Sequence, residues 1–327
     1  DGFHLLGDSV PVKAVCQDMF LSRTKLFCNS FDEEMYHVEK AYPNLYVYND
    51  DYLYPARKLL NHIGGSLEEF ANQQKKQSEQ IGFVNYIASN NGFTLMDTFC
   101  YQDKHNEDNG ENNADGSNWN FSSNYGVEGK SNKRYVAEIR KRQMLNAFAM
   151  QFMAQGVPLI WAGDEMCNSQ NGNNNAYCQD NIISWLDWSL LDKNRELFNF
   201  FQYMIWFRQM HRIVRIDTEK CSMNYPHISQ HGLHPFWTDY QSNHHYVGIM
   251  YAGRNRNGKD ELVYLAVNAH WQEQMIELPM PPENHTWYVA IDTYREESVV
   301  QELLPVHGQM KIMPRSVMVF ETYRNRE

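Results

Sequence analysis

Asp164 and Glu165 form an adjacent pair of acids at the end of a clean apolar run, Leu159-Ile160-Trp161-Ala162. Two neighbouring carboxylates can divide acid and base work, one protonated and one ionised. In parallel barrels the chemistry sits where strands end. A second acidic pair, Asp50-Asp51, follows Leu45–Tyr48 and reads more plainly as a solvated turn. The six cysteines (Cys16, Cys28, Cys100, Cys167, Cys178, Cys221) include no CxxC pair and no His/Cys spacing suited to zinc. They read as structural thiols in a reduced, cytoplasmic setting, although Cys167 and Cys178, in one Asn-rich loop, also allow a disulfide or a reactive thiol. The sequence holds no Gly-rich phosphate loop, no Ser-His-Asp order and no metal-ligand cluster that would compete with a carboxylate reading, and no metal is expected.

The elements that must position these residues fall into two rhythms. From Asp1 to Arg212 short apolar runs alternate with longer amphipathic ones, the pattern of a parallel α/β sheet or barrel. Leu45–Tyr48, Phe83–Ala88 and Leu159–Ala162 are strand candidates. A helix is predicted over 133–155, with Leu145, Phe148, Ala149, Phe152 and Met153 on one face and Gly156 and Pro158 ending it. A second helix should follow Ser189-Leu190-Leu191-Asp192, a capping-box spacing, with Leu197, Phe200, Phe201 and Met204 as its stripe. Beyond Arg212 short period-two strands take over: Tyr246–Tyr251, Glu261–Asn268, Trp287–Asp292 and Ser316–Glu321. The division expected is residues 1–212 as an α/β part and 213–327 as an all-β sandwich.

Two polar stretches, Gln102–Gly126 with seven Asn and Cys167–Asn181 with three in a row, follow strand candidates. Connections of that length are functional loops or disorder, and here they would flank a cleft or stay unfolded. The net charge of −11 opposes the electrostatics of nucleic-acid binding and of an anionic membrane surface, and no run of about 18 apolar residues suits a membrane span. A neutral ligand fits better. The aromatic content of 14%, with 20 Tyr and 8 Trp, would suit stacking on sugar rings, though most of these rings should be core.

The motifs GFTLMD (Gly92–Asp97), YQDKHNEDNGENNADG (Tyr101–Gly116), NYGVEG (Asn124–Gly129), QGVPLIWAGDE (Gln155–Glu165) and NGNNNAYCQDNIISWLDW (Asn171–Trp188) resemble the back half of glycogen-debranching enzymes of the isoamylase and type I pullulanase kind, a branch of the α-amylase superfamily. The resemblance covers essentially the whole chain and is densest between Asn85 and Trp188. It implies the C-terminal half of a (β/α)8 barrel, entered near the end of strand four, followed by the family's β-sandwich. A half barrel cannot close, so a piece of a longer protein is expected, as the opening Asp1-Gly2-Phe3 also suggests.

The resemblance further implies retaining cleavage of α-glucosidic bonds by two carboxylates about 5 Å apart, with a third holding sugar hydroxyls, chemistry that needs only water and carboxyl groups and so no cofactor. Here those positions look empty. Where the family reads Asp-Gly-Phe-Arg-Phe-Asp, this chain has Asp1-Gly2-Phe3-His4-Leu5-Leu6, so Leu6 stands for the nucleophile and His4 for the supporting Arg. Taking Leu45–Tyr48 as strand five puts Tyr48 or Asn49 at the acid position. Asn90-Asn91 replace the His-Asp before Gly92, and an amide can bind a hydroxyl but cannot steady an oxocarbenium ion. Asp8, Asp50 and Asp164 are the carboxylates that could substitute. His4, Asn90, Asn91, His105, Asp164, Glu165, Asn174 and Tyr177 are the expected sugar-binding set, Asp164 and Glu165 chiefly by holding the loop 171–181.

Two functions follow as expectations. The favoured one is a glycogen-debranching-like protein that binds branched α-glucan, whether glycogen, starch or a derived oligosaccharide, with catalysis lost or severely impaired, and with an active debranching enzyme as a partner. The alternative is an active α-1,6-glucan debranching hydrolase.

Overall fold

The computed structural model describes residues 10–29, 42–64, 67–240 and 245–325. His4, Leu6 and Asp8 lie outside the described residues. The first half alternates strands and helices: α1 (Val10–Gln17), β1 (Leu26–Cys28), β2 (Leu45–Tyr48), α2 (Asp50–Leu60), α3 (Leu67–Gln74), β3 (Gly82–Asn85), α4 (Leu95–Thr98), α5 (Arg134–Met153), β4 (Val157–Pro158), α6 (Leu190–Lys193) and α7 (Arg195–Met210). The strands form one sheet in the order β1-β2-β3-β4, each pair parallel, with Leu26 beside Leu45, Tyr46 beside Gly82 and Val84 beside Val157. It is part of a (β/α)8 barrel.

The strand order moves one expectation. Counting back from the strand after α5, which the resemblance makes the eighth, Leu45–Tyr48 is the sixth strand, not the fifth. The fifth is Leu26–Cys28, too short a run to stand out in the sequence. The strand expected at Leu159–Ala162 also shifts, to Val157–Pro158. Leu159 still donates its N–H to Asn85 (2.8 Å), but among the described residues nothing pairs with β4 on its far side, so the run leaves the sheet early.

The predicted α5 is present, yet its C-terminal half is not one-faced: every residue from Gln143 to Met153 is buried. Its polar members are satisfied by neighbouring backbone, as burial requires. Asn146 donates to the Arg315 carbonyl (3.0 Å) and Gln151 to those of Asn85 (3.0 Å) and Leu159 (2.5 Å). The open carbonyls at its C-terminus go to Arg208 of α7, which donates to Phe152 (2.5 Å), Ala154 (2.7 Å) and Gly156 (2.6 Å). Gly156 itself, at φ +84°, must be glycine, since a Cβ would lie 2.8 Å from the Phe83 carbonyl oxygen.

The capping box at Ser189 does not form. Ser189 is itself helical (φ −65°, ψ −18°) and makes no side-chain cap; it begins the short α6, and α7 starts only after Asn194. The stripe of α7 is nonetheless covered, with Leu197, Phe200, Met204 and Phe207 buried.

The second half is antiparallel: β5 (Ile228–His231), β6 (Tyr246–Arg254), β7 (Asp260–Asn268), β8 (Gln274–Glu277), β9 (His285–Asp292), β10 (Pro305–Val306), β11 (Gln309–Ile312) and β12 (Ser316–Arg324). Six strands make a sheet in the order β10-β9-β12-β7-β6-β5, and β11 pairs with β8 as a ribbon. Period-two alternation assigns the faces. Val247, Ile249, Val263, Leu265, Val317 and Val319 share a core with α2, α5 and α7. Met250, Leu262, Tyr264, Ala266, Met318 and Phe320 share a separate one with Ile276 and Ile312 of the ribbon. The helices therefore fill the space between the half barrel and the sandwich.

Candidate functional site

On one face of the parallel sheet Leu45 and Val47 pack with Cys16 of α1, Ile81 and Phe83. On the opposite face, rings follow one another across strands: Phe27 to Tyr46 at 5.5 Å, Phe27 to Tyr48 at 6.0 Å, Tyr48 to Tyr86 at 5.9 Å. Tyr48 is thus part of an aromatic row. Beyond the strands, Asn49 is buried and donates to Asn85 (2.8 Å) and Gln73 (3.1 Å), so it belongs to the scaffold. Asp50 accepts from the Tyr86 hydroxyl, and Asp51 pairs with Lys76 (3.1 Å). The loop after β3 is pinned from α2 by Arg57, which donates to the carbonyls of Ile87 (2.7 Å), Phe93 (3.3 Å) and Asn120 (3.1 Å). Burial lowers that guanidinium to about 10. Asn90 and Asn91 are left exposed in the turn after β3, where the Asn91 N–H donates to the Ser89 hydroxyl (3.3 Å) and the Asn91 Oδ1 accepts from the Asn90 amide (3.5 Å).

Asp164 is 2% exposed and accepts the Leu95 N–H (2.9 Å), an orphan donor at the start of α4. Burial raises its carboxyl to about 8. It therefore holds the turn after β3, not the loop 171–181 it was expected to hold. That loop is held by Asp97, an acid of the GFTLMD motif that sequence reasoning passed over. Asp97 accepts from the Ser169 hydroxyl (2.5 Å) and the N–H groups of Gln170 (2.8 Å) and Gly172 (3.4 Å). Burial raises it to about 6, and the hydrogen bonds it accepts work against that rise. The two acids are crossed: each loop lends a carboxylate to the other. Glu165 bends back onto the N–H of Gly163 (2.9 Å).

Neither long loop is unstructured. Asn106 donates to the Asn174 Oδ1 (2.8 Å) and accepts the Asn174 N–H (2.9 Å), while the Asn174 amide donates to Ser117 (2.8 Å) and Asn120 (2.9 Å). Asn173 donates to Asn109 (2.8 Å), and Asp115 accepts from Asn109 (2.7 Å) and Asn175 (2.9 Å). Asn174, expected to meet sugar, is 2% exposed with its donors spent inside the protein, which corrects that assignment. His105 is half-exposed and pairs with Glu128 (3.1 Å), which also accepts the N–H groups of Gln102 and Asp103. Tyr177 is 72% exposed on a 3-10 turn (Ala176–Cys178), and Trp119 of the other loop is equally exposed. A Trp inside an Asn-rich stretch was the signal for Trp119. All six cysteines are free, and burial pushes the Cys167 thiol up to about 12, the opposite of a reactive setting.

Among the described residues no group of three or more His, Cys, Asp or Glu could hold a metal ion, and no helix is long and apolar enough to cross a membrane. No family model matches the chain. The glycogen operon protein GlgX homolog of Mycobacterium tuberculosis is 39% identical over 212 residues, covering 62% of this chain and 29% of that protein. The chloroplastic isoamylase 3 of Oryza sativa is 31% identical over 325 residues, 95% of this chain and 40% of that one. This chain belongs to the isoamylase-type branch of the glycogen-debranching family. It spans less than half the length of those two relatives. The type I pullulanase of Bacillus subtilis, solved in complex with maltose, superposes with a TM-score of 0.59 at 16% identity, over 85% of this chain and 35% of that one. The half barrel and sandwich described above are thus a fold shared with that structure.

Proposed function

We propose that this chain is part of a glucan-binding homologue of the debranching enzymes in which glycosidic cleavage is lost or severely impaired. The observation that carries the reading is Asn91, an exposed amide in the turn after β3, at the position where the resemblance puts a carboxylate. With the strands recounted, the acid position at the end of strand five falls on exposed Asn29, directly after β1, in place of Tyr48. Leu6 completes the set by sequence. An amide neither attacks an anomeric carbon nor protonates a leaving oxygen, and loss of one proton-transfer group alone costs about 10²- to 10⁴-fold. Among the candidate substitutes, Asp50 is engaged by Tyr86 and Asp164 is buried under α4. Asn90, Asn91, Tyr177 and Trp119 remain open to a branched α-glucan. Residues 1–212 would then supply the cleft and 213–327 the sandwich that buttresses it.

One feature favours the alternative, an active α-1,6-glucan hydrolase: burial raises the Asp164 carboxyl to about 8, which favours the protonated form that a general acid needs. Its burial and its bond to Leu95 weigh against contact with substrate. The test uses the full-length protein that carries this chain: reducing-end release from glycogen and pullulan, with glycogen retardation in a native gel beside it. Retardation without release is expected. Release at rates typical of hydrolases would overturn the proposal and direct attention to Asp164 and Asp50.

A further inference from the structure

Four Asn-Gly pairs occur in the sequence: Asn91-Gly92, Asn109-Gly110, Asn171-Gly172 and Asn257-Gly258. Such a pair can react without an enzyme, because the glycine nitrogen, unshielded by any Cβ, can attack the asparagine Cγ. A C–N bond forms, ammonia leaves and a cyclic imide results. Water then opens the ring at either carbonyl, giving aspartate or its isoaspartyl isomer. The net change is amide plus water to carboxylate plus ammonium. Two conditions are needed: an asparagine side chain free to turn, and a glycine N–H free to give up its proton.

Three of the pairs fail one condition or both. Asn109 donates to Asp115 (2.7 Å) and to the Asn175 carbonyl (3.0 Å) and accepts from Asn173 and Gln179 (2.8 Å each), while the Gly110 N–H donates to the Glu107 carbonyl (3.1 Å). The Gly172 N–H faces the Asp97 carboxylate (3.4 Å), whose charge opposes loss of that proton, and a Cβ there would lie 2.6 Å from the Tyr101 ring. The Gly258 N–H is spent on the Asn255 carbonyl (3.0 Å), in a turn that the Asn255 Oδ1 also closes onto the Asn257 N–H (2.9 Å).

At Asn91-Gly92 both conditions hold. The Asn91 side chain is exposed, and among the described residues it meets only the Asn90 amide, at 3.5 Å. The Gly92 N–H meets no acceptor among the described residues. The space beside Gly92 is open, the nearest heavy atom to a Cβ there being the Arg57 Nη2 at 3.9 Å. That guanidinium is charged at neutral pH, and its field favours a neighbouring nitrogen that must release a proton.

We infer that Asn91 is a modification site, at which the folded protein deamidates through Gly92 and exchanges the exposed amide of the turn after β3 for a carboxylate. The resemblance puts a carboxylate at this position, so the reaction supplies after synthesis an acid that the sequence lacks. That consequence rests on the reading proposed above, whereas the chemistry does not.

The experiment incubates the full-length protein in mildly alkaline buffer, folded and in urea, and follows the four Asn-Gly peptides by mass spectrometry. In urea all four should gain about 1 Da at similar rates. In the folded protein the peptide with Asn91 should stay within about threefold of its rate in urea, while the other three slow by about tenfold or more, since they must first break the bonds that hold them. Asn91→Gln, which would need a larger ring, should lose the gain at that peptide and lower the ammonia released by the folded protein. An Asn91 peptide as slow as the other three in the folded protein, or ammonia release unchanged by Asn91→Gln, would overturn the assignment. Glycogen retardation is not part of this readout, so the peptide rates decide the modification even where the glucan reading fails.

Discussion

Asn106 and Asn174, 68 residues apart in sequence, close a two-bond ring: the Asn106 amide donates to the Asn174 Oδ1 at 2.8 Å and the Asn174 N–H donates to the Asn106 Oδ1 at 2.9 Å. The ring welds the loop after β3 to the loop after β4, and it does so with polar groups that are almost wholly out of water. The two loops are therefore tied together although their sequence is that of a linker.

Replacing Asn174 with Ala strands the Asn106 amide and the acceptors at Ser117 and Asn120. A loss of about 1–3 kcal/mol in stability is expected. Limited proteolysis should show new cleavage within 102–126 and 167–181 while the sandwich strands stay protected. Unchanged cleavage would mean that the ring does not order the loops.

His211, at the C-terminal end of α7, lies 2.9 Å from Glu261 of β7 and 3.2 Å from Glu321 of β12. Burial alone would lower its pKa, but the hydrogen bonds and charges of the two carboxylates outweigh burial and raise it to about 9. A folded pKa above the unfolded value of about 6.5 means stabilisation that is complete below that value and is lost as pH rises through 9. Urea unfolding should therefore show stability falling by about 1–3 kcal/mol between pH 7 and pH 10, and His211→Ala should flatten that slope.

Arg208→Ala removes the donor shared by the carbonyls of Phe152, Ala154 and Gly156. A cost of about 3 kcal/mol or more is expected, with Arg208→Lys rescuing only part of it because an ammonium lacks the planar fork that spans three acceptors. Urea midpoints of the two variants check this.

Asn91→Ala should leave reducing-end release at the level of the parent protein and weaken glycogen retardation about fivefold, the worth of one hydrogen bond. Trp119→Ala should weaken it by a comparable or larger factor through lost ring stacking. Retardation unaffected by both would place the glucan elsewhere.

Much of this architecture was legible in the residues. Helix α5, the four longest sandwich strands and strand Leu45–Tyr48 announced themselves because hydrophobic periodicity is a local property, and the long motifs from Gly92 to Trp188 carried the family. What the sequence could not decide were matters of neighbourhood. A three-residue strand such as Leu26–Cys28 is recognisable only by its partner, so the strand count slipped by one. The all-round burial of α5 depends on a second sheet arriving more than a hundred residues later. Whether an asparagine or an aspartate faces solvent or a buried N–H is set by which loop packs against it. The same side-chain types therefore serve as an exposed amide at Asn91, an internal clasp at Asn174 and crossed loop anchors at Asp97 and Asp164.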